Sequence, residues 1–266
     1  MKYPVLLPNI FDHPFTYESK KYLKPGQYVR VSFGKSDISG IIWHKFQDNI
    51  NKKFIIKEIS GEKKIPPLNL KTLKFIEWFS EYNLVPLGMA LKLHFLSNDP
   101  VESFDQKSYH YYQKKFPQKI FKFSEEQNNS LKKMKLDDTG FRVHLLQGTT
   151  GSGKTLVYFQ SILEKIKNGF QALILLPEIG LTFEFEKKFK EFFGFNPAIW
   201  HSGVTKKNKK IIWSGLANGK IKVVIGARSS LFLPFKNIGE IIVDEEHDQS
   251  YKQDEGIIYN ARDMAI

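Results

Sequence analysis

The chain has 266 residues, enough for one large domain or two ordinary ones, and its 41% apolar and 26% charged content is that of a folded globular protein. No cysteine is present, so disulfides and thiolate sites for zinc are excluded, and a reducing, cytoplasmic compartment is the natural reading. A formal net charge of +12 points to a polyanionic partner; a solvated, lysine-rich surface is the plain alternative, since the arginines are only Arg30, Arg142, Arg228 and Arg262.

Met1 to Ile10 form no basic-then-apolar signal, and no apolar run is long enough for a bilayer, so no membrane is expected as a partner. Tyr3 to about Phe54 read as strands: Tyr28 to Phe33 alternates, Gly34 to Asp37 turns, and Ser39 to Trp43 resumes. With Pro4, Pro8, Pro14 and Pro25-Gly26 as punctuation, this predicts a small antiparallel sheet or barrel. After Pro66-Pro67, Leu70, Leu73, Phe75, Ile76, Trp78, Phe79 and Tyr82 recur at largely helical spacing, as in a core-facing amphipathic helix. Asn98 to Lys122 is polar and lysine-rich and reads as a linker; Tyr109, Tyr111 and Tyr112 within it could stack on bases or pack locally.

From Phe123 onward strands and helices alternate. Val143 to Gln147, Ala172 to Leu176, Ala198 to His201, Lys222 to Ile225 and Glu240 to Val243 read as strands. Thr155 to Lys167, Leu181 to Phe193 and Lys206 to Ala217 read as helices, closed by Asn168-Gly169, Gly194 and Asn218-Gly219. The pattern predicts an α/β fold with a parallel sheet and crossover helices, preceded by a small β-rich domain.

Two motifs carry chemistry. Gly148-Thr149-Thr150-Gly151-Ser152-Gly153-Lys154-Thr155 matches the P-loop pattern G-x-x-x-x-G-K-[ST] between a predicted strand and a predicted helix. Its glycines let backbone N–H groups curl around phosphate oxygens, Lys154 places a cation on the β- and γ-phosphates, and Thr155 offers Mg²⁺ a hydroxyl. ATP and Mg²⁺ are therefore the expected ligands. Asp244-Glu245-Glu246-His247 follows a strand whose C-terminal end faces the ligand edge of such a sheet. Asp244 would hold Mg²⁺, and Glu245 would orient and deprotonate the attacking water. On its own the acidic run could equally be a turn capping the next segment.

Asp-Glu-x-His resembles superfamily 2 helicases, with a RecA-like P-loop lobe. The strings Leu176 to Thr182, His201-Ser202-Gly203, Gly226 to Phe232 and Val243 to Gln253 narrow the resemblance to the primosomal protein N′ (PriA) family of replication-restart DNA helicases. In the N-terminal part, Leu7-Pro8, Phe15-Thr16-Tyr17, Pro25-Gly26, Val29-Arg30-Val31 and Phe33-Gly34 are similar to that family's 3′-end DNA-binding domain. The resemblance implies a DNA-binding domain over 1–97, a linker over 98–122 in place of a winged-helix domain, and helicase lobe 1 over 123–266. It further implies ATP-dependent 3′→5′ unwinding at stalled forks, with branched and single-stranded DNA, other primosome proteins and single-strand binding protein as partners.

Residue roles follow from the same resemblance. Gln127 would read adenine, although with Ser124 it equally forms a capping box. Thr182 and Arg228 would grip single-stranded DNA phosphates, although Arg228 could also be a plain surface arginine. Tyr251, Lys252, Tyr259 and Arg262 match an aromatic-rich DNA-sensing loop, where tyrosines stack on bases and the cations meet phosphate; a plain surface loop fits them too. Phe15, Thr16, Gly34 and Lys57 would hold the terminal 3′ nucleotide; a core aromatic, a turn glycine and a solvated lysine are the plain alternatives.

The sequence departs from the family in four places. Thr16 replaces an aspartate, for which the nearby Asp12 could substitute. Residues 98–122 are too short for a winged helix. Ile257-Ile258 replaces Pro-Arg. Finally, no second helicase lobe and no zinc-binding cysteines follow Ile266, and that lobe supplies an arginine to hydrolysis, so this polypeptide is expected to bind ATP and DNA yet unwind little alone. A non-catalytic, nucleotide-gated fork-binding module and another superfamily 2 translocase are the competing readings.

Overall fold

The computed structural model describes residues 1–46, 55–96, 99–104, 121–136, 140–177 and 183–266. Five strands, β1 (Lys2–Leu6), β2 (Phe15–Glu18), β3 (Tyr28–Phe33), β4 (Ser36–Ile42) and β5 (Lys57–Glu62), close into a barrel in the order β1-β2-β5-β3-β4. Every pairing is antiparallel except β2 with β5, which joins Tyr17 to Lys57. Closure leaves no sheet edge exposed. The alternation legible in β3 turns Val29 and Val31 inward onto Val5, Leu7, Tyr17 and Ile42, while Arg30 faces out. Gly34 takes φ +63° in the two-residue turn between β3 and β4, a conformation that glycine adopts without the clash a side chain would bring.

Two helices bridge the barrel to the rest of the molecule. Helix α1 (Leu70–Tyr82) starts where Asn69 Oδ1 accepts from Thr72 N at 2.8 Å, and it buries Leu73, Ile76 and Phe79. Helix α2 (Leu87–Phe95) is capped from the barrel side: Asp12 Oδ1 accepts from Leu87 N at 2.8 Å. One oxygen of the Asp12 carboxylate, the residue that could substitute for the aspartate replaced by Thr16, is therefore engaged at a helix N-terminus. Helix α3 (Asp99–Glu102) follows, and Val101 is buried in the same core as α1 and α2. Glu102 binds Ser39 of β4 and Lys63. At the far end of the expected linker, Phe121 stacks on Phe192 with ring centroids 4.5 Å apart. Both described ends of that segment are thus docked; Tyr109, Tyr111 and Tyr112 lie outside the described residues.

The second half contains α4 (Glu125–Leu136), α5 (Lys154–Lys167), β6 (Gln171–Leu175), α6 (Phe183–Phe193), β7 (Ala198–Trp200), α7 (Lys206–Ala217), β8 (Val223–Gly226) and β9 (Ile238–Val243). The four strands form a parallel sheet in the order β7-β8-β6-β9. A 3-10 turn (Arg228–Phe232), a small ribbon of β10 (Lys252–Gln253) and β11 (Tyr259–Asn260), and α8 (Ala261–Ala265) complete it. Helices α5 and α6 cover one face with a phenylalanine-rich core around Phe159, Phe189, Phe192 and Phe193. The other face packs on α7, α1, α2 and, through Tyr28, Ile41 and Trp43, the barrel itself.

One expected element is absent. Val143 to Gln147 forms no strand, and Val143 and Leu145 are 60% and 79% exposed. An apolar alternation marks a segment fit for a sheet, but only a paired neighbour makes it a strand. Among the described residues β9 pairs with β6 alone, so its outer edge stays open. No helix among the described residues is long and apolar enough to cross a membrane.

Candidate nucleotide site and nucleic-acid face

The phosphate-loop sequence precedes α5, whose N-cap is Gly153. With φ +83° and no side chain, Gly153 leaves the first-turn N–H groups of α5 without a side-chain cap, the arrangement that favours an anion. A Cβ at this position would also lie 2.3 Å from Gln127 Nε2, so glycine admits Gln127 to the loop. Gln127 closes the capping box: Ser124 Oγ accepts from Gln127 N at 3.2 Å and Gln127 Oε1 from Ser124 N at 3.0 Å. Its remaining amide group donates to Ser152 O at 3.0 Å. Lys154 turns back onto the loop, with Nζ 2.6 Å from Gly148 O. Gly148, Thr149, Thr150, Gly151 and Ser152 are all exposed.

Asp244 continues the line of β9, held by Asp244 N donating to Leu175 O at 3.1 Å. Tyr158, one turn into α5 from Lys154, donates its hydroxyl to Asp244 Oδ2 at 2.9 Å and also contacts Thr155. Burial, and then the charge of Asp244, hold the Tyr158 hydroxyl well above the usual tyrosine range, so it stays a donor. The two candidate Mg²⁺ ligands are thereby brought to one place, on a hard-oxygen donor set of hydroxyl and carboxylate that suits Mg²⁺. Glu245 takes φ +48°, a left-handed conformation costly for a residue with a side chain, which swings its carboxylate out of the strand line and leaves it 60% exposed. His247 Nε2 lies 3.8 Å from Glu245 Oε2.

Beside this edge, a cleft of about 430 Å³ opens between Leu96 and Pro100 on one side and Lys206, Lys209, Arg228 and Ser229 on the other. Lys209 donates to Ser202 O at 3.1 Å, and Arg228 donates to Lys252 O. Lys209 and Arg228 thus bond backbone carbonyls rather than carboxylates, so their charge remains available to an anion. Lys252 itself pairs with Asp254 at 2.9 Å, and Arg262 lies 3.0 Å from Asp263 and 3.8 Å from Glu246.

Two expected DNA contacts are corrected by burial. Tyr251 is 1% exposed, and its hydroxyl bonds Leu175 O at 3.0 Å and Asp244 O; it braces the end of the sheet. Tyr259 is 4% exposed and packs edge-on against Phe79 and Phe232, which pushes its hydroxyl up to about 12. Neither ring can reach a base. Both tyrosines flank basic residues in sequence, a pattern that does not distinguish a stacking surface from a core wall. Thr182 lies outside the described residues.

On the barrel, Phe15 and Thr16 lie on β2 and Lys57 on its neighbour β5, while Gly34 lies in the turn between β3 and β4. The Phe15 and Phe33 rings meet at 5.0 Å, and Phe11 approaches Phe15 at 5.3 Å while 40% exposed. Thr16 and Lys57 are exposed, and the space around Gly34 is open.

Residues 124–265, more than half of the chain, match the family model of the DEAD/DEAH box helicases. The chain belongs to that family. Residues 4–95 match the 3′ DNA-binding domain. Similar curated proteins are the replication restart protein PriA of Rickettsia conorii, 41% identical over 98% of this chain, and that of Bacillus subtilis, 35% identical over 83%. The chain spans about 40% and 29% of those relatives' lengths. Among solved structures, RecG bound to a three-way DNA junction is 25% identical with a TM-score of 0.44, covering 70% of this chain and 26% of that one. The helicase family implies nucleotide binding, and the separate match over residues 4–95 is to a DNA-binding domain.

Tyr158, Lys206 and Lys209 were not singled out by motif. Tyr158 had a readable signal: at four residues after Lys154 it shares the helix face that meets Asp244.

Proposed function

We propose that this chain is the fork-recognising and ATP-binding portion of a 3′→5′ DNA helicase that acts at stalled replication forks and starts primosome assembly. The contact of Thr155 and Asp244 through Tyr158, on the sheet edge that also bears the basic cleft, is the observation that carries this reading. Lys154 would meet the β- and γ-phosphates, while Gly148 to Thr155 wrap them and Gln127 reads adenine. Thr155 and Asp244 would hold Mg²⁺, and Glu245 would place the attacking water. Bound ATP supplies the phosphoryl transfer that drives strand movement. Arg228, Lys252, Arg262 and Thr182 would engage single-strand phosphates, and Phe15, Thr16, Gly34 and Lys57 the 3′-terminal nucleotide. Other primosome proteins and single-strand binding protein would be the protein partners.

The test pairs two ligands. Lys154→Ala should weaken binding of a fluorescent ATP analogue by about 100-fold, the loss of a charge-assisted phosphate contact, while fork-DNA anisotropy stays within about twofold. Forks with a free leading-strand 3′-hydroxyl should bind more tightly than the same forks carrying a 3′-phosphate. Equal affinity for the two forks refutes end capture; unchanged nucleotide binding refutes the phosphate site.

A further inference from the structure

Among the described residues, a chain of buried polar contacts joins the barrel to the helicase lobe and belongs to neither site above. Tyr28 opens β3, His94 lies in the last turn of α2, and Phe232 closes the 3-10 turn that begins at Arg228. Their exposures are 1%, 0% and 3%. His94 Nδ1 is 2.8 Å from Phe232 O, and Nε2 is 2.7 Å from Tyr28 Oη. A carbonyl oxygen can only accept, so Nδ1 carries the ring proton. Nε2 is then the acceptor, and Tyr28 must donate to it. Burial favours this neutral ring, so one tautomer and one direction of donation are fixed through all three residues. Trp213 of α7 adds a bond from Nε1 to His94 O at 3.3 Å and sets its ring edge-on to Tyr28.

Each end of the chain continues into an element that bears a candidate DNA contact. β3 runs from Tyr28 to Phe33 and the Gly34 turn, about 17 Å at a strand's rise per residue. It is paired with β4 along its whole length and with β5 from Val29 to Val31, across a register shift between Arg30 and Val31, and the closed barrel restrains it on both sides. The 3-10 turn runs back from Phe232 to Arg228 in the basic cleft.

We infer that His94 and Tyr28 are positioning residues that hold the end-capture face of the barrel and the Arg228 turn at a fixed separation, so that one branched DNA meets both together. This rests on the two DNA contacts of the proposed function. A ligand that spans two sites binds with the product of both affinities multiplied by an effective concentration, which a stiff frame keeps high and a loose one lowers. Loosening the frame therefore weakens the spanning ligand and leaves each single-site ligand alone.

The experiment uses the full chain and its variants Tyr28→Phe and His94→Asn, each first shown to be folded by its melting transition. Tyr28→Phe keeps the ring and removes the donor; His94→Asn keeps a donor for Phe232 O and loses reach to Tyr28. Anisotropy is read with three probes: a short strand ending in a free 3′-hydroxyl, a single strand blocked by a 3′-phosphate, and a fork offering both features. Both variants should bind the fork about tenfold more weakly, with the two single-strand affinities unchanged within about twofold. Unchanged fork affinity overturns the inference. A parallel loss for all three probes also overturns it, since that marks general damage. If the native chain binds the fork no better than either single strand, the two-contact reading itself fails and takes the inference with it.

Discussion

The barrel and the helicase lobe solve the placing of a site in opposite ways. The barrel pairs every strand with two neighbours, and its candidate residues ride on those strands or on the Gly34 turn. Among the described residues the lobe leaves β9 unpaired on one side, and its phosphate loop follows a segment, 140–147, that has no regular structure and is mostly exposed. Geometry in the barrel is fixed by closure before any ligand arrives. Geometry in the lobe depends more on single side chains, with Tyr158 and Tyr251 adding to the one backbone bond from the sheet that holds Asp244. A rigid region suits shape-specific capture of a chain end; an open one suits a ligand that must enter and leave.

The contrast is strongest if the two regions nevertheless share one core, and Trp213 tests that. It is fully buried between α2, α7 and the barrel's Tyr28. Trp213→Ala should destabilise the protein by about 3–5 kcal/mol, the cost of emptying a large core site. Barrel and lobe should then melt together when followed by separate probes. Two distinct transitions would show that the regions fold independently.

Acid should act on the same junction. Burial lowers the His94 pKa from 6.5 to about 4. As pH falls below about 6.5 the unfolded chain takes up a proton that the folded chain refuses, so stability drops until about pH 4 and then levels off. The full loss is about 3 kcal/mol by linkage. Denaturant titrations at several pH values, compared with His94→Asn, should show that the variant lacks this component.

A smaller effect is expected at the lobe's braced carboxylate. Tyr158→Phe removes the donor to Asp244 and should weaken Mg²⁺-dependent nucleotide binding by about fivefold, near 1 kcal/mol, with little change when Mg²⁺ is omitted. Equal losses with and without Mg²⁺ would place Tyr158 in packing alone. The smallest change belongs to the barrel. Lys57→Ala should reduce the slope of log affinity against log salt by about 0.7–0.9, the release of one counterion. An unaltered slope would leave Lys57 as a solvated side chain.

Much of both regions was readable from residue patterns. Alternation in Tyr28 to Phe33, the helical spacing from Leu70 and the apolar runs of β6, β8 and β9 appear in the structure near their expected bounds. Barrel closure was open in the sequence, because the β2–β5 pairing that completes it joins segments about forty residues apart. Gln127 shows the two levels at once: its capping box is local and legible, whereas its bond to Ser152 O depends on how α4 docks. Tyr251 and Tyr259 show the limit most plainly. Composition marks them as aromatics among cations, and only packing decides that they face inward. For Val143 to Gln147 the apolar pattern is present, but among the described residues no strand pairs with it.

Glu245 raises a point for anyone who would stabilise this protein. Its φ of +48° is a backbone state that glycine accepts freely and glutamate holds against a penalty of about 1–2 kcal/mol. A redesign guided by backbone comfort would choose glycine at 245 and raise the melting temperature. It would also delete the one carboxylate that the unfavourable conformation turns toward solvent. Tolerance of a poor local fit at this position is what the water-placing role proposed for Glu245 would require.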